Sequence, residues 1–133
     1  MTRLIRASGE KPLFWVASSR EDLKHFPEPV KDAIGVALSV AQFGGKHPDA
    51  KPWKGEGPGV LEVVEDHRGD TYRALYTVKF AEAIYVLHVF QKKSPSGIRT
   101  SQKDIRLISQ RLQAARADYE ARYAQEHQTK DHH

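Results

Sequence analysis

The chain contains no cysteine, which removes disulfide scaffolds, thiol nucleophiles, thiolate zinc sites and cysteine-ligated iron–sulfur clusters at once. It also lacks any apolar run near the ~18 residues of a membrane span, and Met1 to Glu10 has no apolar core of the signal-peptide kind. The expectation from these absences is a cytoplasmic chain with no membrane contact. Internal repeats and low-complexity segments are missing too. Metal-ligand spacing is poor: His47-Pro48-Asp49 and His132-His133 suggest no third ligand, so no metal and no cofactor is expected. The segment Gly55-Glu56-Gly57-Pro58-Gly59 lacks the Lys-Ser/Thr ending of a phosphate-binding loop, and no serine sits in a nucleophile elbow.

What is present is 133 residues, 39% hydrophobic and 29% charged, the balance of an ordinary globular domain. A chain of this length buries roughly two-thirds of its unfolded surface, enough for one real core. The net charge of +4 is unevenly spread. From Gln91 to Arg116 seven basic residues face one acid, Asp104, for a net of +6; the remainder holds fourteen basic and sixteen acidic residues, a net of −2. A basic stretch of this kind suits phosphate, although a solvated helix face or an acidic protein partner would use the same charges.

Hydrophobic periodicity gives the order β-α-α-β-β-β-α. Leu13 to Ala17 reads as a buried strand; Ser18 with Glu21 opens a short helix that Pro27 ends. In a second helix after Pro29, Val30, Ala33, Ile34, Ala37, Leu38 and Ala41 recur at three- and four-residue steps until Gly44-Gly45. Residues 46–59 carry six prolines and glycines and read as a loop. Three strands follow at 60–65, 71–78 and 84–91, and Ser101 with Asp104 opens a long last helix that frays beyond Tyr123. This divides the chain into a tail over 1–12, one domain over 13–123 and a polar tail over 124–133. The fold class is α+β, a curled antiparallel sheet with helices packed on one face. Alternation along the middle strand puts Arg73, Leu75 and Thr77 on one face and Tyr72, Ala74, Tyr76 and Val78 on the core face, leaving Arg73 exposed.

The segments Tyr72-Arg73-Ala74-Leu75-Tyr76 and His88-Val89-Phe90-Gln91-Lys92-Lys93-Ser94, with Trp53-Lys54-Gly55 and the helix start Thr100-Ser101, resemble the RelE/ParE toxin superfamily, most closely its phage-derived HigB-like branch. The resemblance implies the toxin of a type II toxin–antitoxin pair, a ribosome-dependent messenger-RNA endoribonuclease with a helix-turn-helix antitoxin and a toxin–antitoxin hetero-oligomer. It places Arg73, Lys92 or Lys93, and Lys54 in the cleavage site. Glu62, Glu65 and Asp66 stand where RelE has lysines. The ParE-like members imply a different function, non-catalytic inhibition of DNA gyrase; an inactive antitoxin- or RNA-binding member is the third possibility.

RNA needs no metal for cleavage when its own 2′-hydroxyl attacks the adjacent phosphorus, because the nucleophile is tethered and cations can stabilise the charge that develops. Arg73 offers the planar fork for this, or else it is an ordinary strand cation. Glu62 suits either a general base or a carboxylate that orients Lys54 or Arg73. His88, read on one face with Ile84, Val86 and Phe90, is a proton-transfer group or a hydrogen-bonded interior histidine. Trp53 stacks an unpaired base or plugs the core edge. Lys51, Phe90, Arg99, Lys103 and Arg106 complete the RNA-binding candidates.

Overall fold

The computed structural model describes residues 9–55, 59–92 and 101–131, with side chains described to residue 124. Eight elements form it: β1 (Leu13–Trp15), α1 (Ser19–Lys24), α2 (Glu28–Gln42), β2 (Ala50–Pro52), β3 (Val60–His67), β4 (Asp70–Thr77), β5 (Ile84–Lys92) and α3 (Gln102–Asp131). The sheet order is β1-β5-β4-β3-β2, antiparallel except where β1 runs parallel to β5.

Local chemistry accounts for most boundaries. Pro27 at the N-cap and Pro29 in the first turn start α2, since neither early position owes a backbone hydrogen bond to the helix. Its end is closed by the amides of Gly44 and Gly45, which donate to Ala41 O (2.9 Å) and Val40 O (3.0 Å), with Gly44 at φ +89° where a side chain would be strained. Arg68 (φ +52°) and Gly69 (φ +86°) form a two-residue turn with the handedness that a tight β3–β4 hairpin needs. Ser101 caps α3, its Oγ accepting from the Asp104 amide at 3.1 Å and donating to the Asp104 carboxylate at 2.8 Å. Ser18 precedes α1, but its Oγ donates to the Asp22 carboxylate (2.8 Å) instead of capping an amide.

Three expectations change. The 46–59 segment contains a strand: β2 pairs with Leu61–Val63, and proline is tolerated because β2 is an edge strand. The last helix does not fray after Tyr123 but continues to Asp131, through residue types that favour helix. Most important, the helices do not share one face. α2 packs Val30, Ile34, Leu38 and Ala41 against Leu61, Val63, Tyr72, Ala74, Tyr76 and Val86, whereas α3 packs Ile108, Leu112 and Ala115 against Val60, Leu75, Tyr85 and Leu87 on the opposite face. The sheet is a shared wall between two apolar clusters, because its central strands are apolar on both sides.

Candidate active site

The face that α3 covers only in part carries the charged candidates. Register sets them in rows across the sheet: Lys51, Glu62, Leu75 and His88; then Val64, Arg73 and Phe90; then Asp66, Thr71 and Lys92. Residues opposite one another share a face, so Lys51, Glu62, Arg73, His88, Phe90 and Lys92 are neighbours on one surface. The parity expected for β4 is observed, with Arg73 and Leu75 opposite in direction to Tyr72, Ala74 and Tyr76.

Arg73 is nevertheless not an exposed cation. Its guanidinium Nη1 donates to Glu62 Oε2, and the two side chains are only 9% and 13% exposed. The register explains the pairing: Glu62 lies diagonally from Arg73, one row away on the same face. This is the contact that the orienting role requires, with Arg73 as the partner of Glu62.

The parity expected for β5 fails. A bulge between Leu75 and Tyr76 shifts the pairing from Leu75–His88 to Tyr76–Val86 and leaves Leu87 as the extra residue. Ile84 and Val86 therefore face α2, while His88 and Phe90 join Tyr85 and Leu87 on the face toward α3. There the His88 ring stacks on Phe90 with centroids 4.6 Å apart and planes inclined by 18°. His88 Nε2 lies 3.0 Å from Asp104 Oδ1, and Arg111 Nη1 lies 3.4 Å from His88 Nδ1 while donating to Leu87 O at 3.1 Å. An arginine has no acceptor, so Nδ1 accepts and Nε2 carries the proton toward Asp104. Arg111 also donates to Ser18 Oγ at 3.2 Å, which ties α1, β5 and α3 together.

Burial lowers the His88 pKa; the hydrogen bond to Asp104 opposes this and the nearby Arg111 reinforces it. Burial alone would raise the Asp104 pKa, but the hydrogen bonds from His88 and Ser101, with the positive charge of Lys92, bring it below the usual value. Because folded His88 takes up a proton less readily than the unfolded chain, stability falls as pH drops through roughly 6.5 toward the lower folded value. Thermal melts between neutral and mildly acid pH are expected to show this loss in the wild type and a flatter profile in His88→Gln; parallel profiles would exclude the His88 link as its source.

The remaining candidates divide clearly. Trp53, a candidate base platform, is 7% exposed and packs in the α3-side cluster with Val60, Leu75 and Phe80. Gly55 lies against its ring so closely that a Cβ would collide with the indole. Lys54 is exposed beside Trp53, whose amide donates to Val60 O, so it stands level with the end of β3 four residues from the Arg73 row, about 13 Å along the strand. Lys51, opposite Glu62 and exposed, is the β2 lysine in the adjoining row. Lys92 is half-buried on the Arg73 face; Lys103 and Arg106 are exposed on the first turns of α3. Lys93 and Arg99 lie outside the described residues. The basic stretch is less free than its charge suggests, since Arg111 is tied into the His88 cluster and Arg116 stands over the Phe80 ring at 5.6 Å.

Asp104 is the participant that sequence reasoning read only as a helix cap. Its signal was its isolation as the one acid in the basic stretch. Among the described residues no three His, Asp or Glu side chains are grouped to hold a metal ion, and no helix is long and apolar enough to cross a membrane.

The architecture is thus an α+β sheet domain whose partly open face presents a buried arginine–carboxylate pair flanked by Lys51 and Lys92. The family model described as "Phage derived protein Gp49-like" matches residues 21–113. The chain belongs to this family, a RelE/HigB-type toxin family. It is similar to one chain in a crystal structure of the RelBE2 toxin–antitoxin complex from Mycobacterium tuberculosis, with TM-score 0.42 and 20% identity over 66% of this chain and 98% of that one. No curated protein matches it.

Proposed function

We propose that this toxin-family chain is an endoribonuclease that cuts messenger RNA held in the ribosome and is restrained by a helix-turn-helix antitoxin. The observation that carries the reading is the grouping of Lys51, Glu62, Arg73 and Lys92 on one sheet face in a chain of this family. The RNA 2′-oxygen attacks the adjacent phosphorus and the P–O5′ bond breaks, leaving a 2′,3′-cyclic phosphate and a 5′-hydroxyl. Arg73 places its donors on the non-bridging oxygens as negative charge accumulates there. A phosphate reaches that fork by displacing Glu62, whose carboxylate, released beside the RNA, accepts the 2′-hydroxyl proton. Lys92, the second cation, donates a proton to the departing 5′-oxygen, which leaves as the 5′-hydroxyl. His88 already donates its Nε2–H hydrogen bond to Asp104, and its part is to hold α3 and Phe90 in place beside the site.

Primer extension on a defined message in a reconstituted translation reaction tests this. Discrete cuts that require ribosomes and persist in the presence of a chelator are expected. An intact message in every lane, from folded protein, overturns the nuclease reading; cuts that vanish with the chelator overturn the metal-independent mechanism.

A further inference from the structure

On the α2 side of the sheet, away from Arg73, a cavity of about 540 Å³ opens between the C-terminal end of α2 and the β2–β3 edge. This lies within the ~300–1,000 Å³ range of ligand-sized clefts. Its apolar lining comes from Ala41, Pro52, Leu61 and Val78, and Gly44 and Gly45 leave the rim without side chains. Two lysines, Lys11 and Lys46, also line it. A third, Lys79, lies over Gly59, another lining residue: a Cβ there would collide with the Lys79 chain. The described lining residues include no carboxylate, and the three lysines have no ion-pair partner among the described residues. Phe43, directly before the two glycines, is left 52% exposed.

An apolar floor ringed by cations of one sign selects an occupant with an apolar group and negative charge around it. Phosphodiester strands supply the charge but present no aliphatic group to fill the floor. We propose that this cavity docks an acidic segment of a partner protein, seating one apolar side chain on Ala41, Leu61 and Val78 while flanking carboxylates meet Lys11, Lys46 and Lys79. The backbone at the mouth is suited to hold such a shape, because Lys11 N–H donates to Gln42 O (2.7 Å) and Gln42 Nε2 donates back to Lys11 O (2.8 Å), pinning the rim to α2. The inference is independent of the nuclease reading, since it concerns the opposite face of the sheet.

The test is an amide-resolved NMR titration of the full chain with a short synthetic peptide that has a central leucine flanked by glutamates, compared with the same peptide carrying lysines instead. Saturable shifts are expected at Ala41, Gly44, Gly45, Leu61 and Val78 with the acidic peptide alone. Lys46→Glu/Lys79→Glu, two exposed changes, is expected to weaken binding by about tenfold or more. Lys103→Glu on the far face is expected to leave it unchanged. No saturable shift with the acidic peptide, equal binding of the basic one, shifts confined to β5 and α3, or full affinity in the double variant would each overturn the proposal. Displacement of the peptide by a single-stranded RNA oligonucleotide would reassign the cavity to nucleic acid.

Discussion

Arg73→Ala is expected to reduce ribosome-dependent cleavage by about 10²–10³-fold, the usual effect of deleting one preorganised donor from a site that stabilises developing charge. The same change has a second effect, because Arg73 is the buried partner of Glu62. Removing one member of such a pair strands the other and costs about 3–5 kcal/mol. Activity must therefore be read beside a denaturation curve. Arg73→Lys separates the two effects: a lysine still meets the Glu62 carboxylate and keeps most of the stability, but it loses the planar fork, so its cleavage rate is expected to fall between wild type and alanine. Folded Arg73→Ala that cuts at the wild-type rate would remove the arginine from the reaction.

Trp53→Ala is expected to lower stability by about 3–5 kcal/mol, the cost of deleting a large buried aromatic side chain. With urea slopes of about 1–3 kcal/mol per molar, the unfolding midpoint should move down by more than about 1 M. Among molecules that remain folded, RNA affinity should stay near that of wild type, because the indole is enclosed by Val60, Leu75, Phe80 and the backbone at Gly55. A loss below about 1 kcal/mol together with weaker RNA binding would reverse the assignment and make Trp53 a stacking platform.

Trp53 also marks where reading residues alone divides from reading packing. Its alternatives, base platform and core plug, have the same local sequence; only the position of α3 decides between them. The helix periodicity of α2, the Ser101–Asp104 cap and the alternation of β4 were legible, since each depends on neighbours within a few residues. The short strand β2 was not, because Pro52 and the surrounding glycines mask a pairing that an edge strand permits. The assignment of every helix to one face failed for a related reason: β4 alternates apolar with polar only up to Leu75, and a strand buried on both sides loses the pattern that distinguishes inside from outside. Within the candidate site, strand parity gave the face of Arg73, the resemblance made it a site candidate, and its carboxylate partner was already a candidate. The burial of both side chains was not legible, because it arises from tertiary packing that no local pattern announces. His88 was assigned to the wrong companions because strict alternation was carried across Leu87.

That one additional residue in β5 divides the strand into two parts with separate duties. Up to Val86, the even-numbered positions answer to α2; from His88 onward, the even-numbered positions turn to the opposite face and carry the histidine, the ring that stacks on it and Lys92. Changes in chemistry at 88, 90 and 92 therefore leave the packing at 84 and 86 untouched, so the strand can exchange its reactive end without rebuilding its foundation. Ironing out the bulge with Leu87 kept would turn the reactive end toward α2, whereas deleting Leu87 would restore strict alternation and keep His88, Phe90 and Lys92 on the α3 side, at the cost of the Leu87 packing.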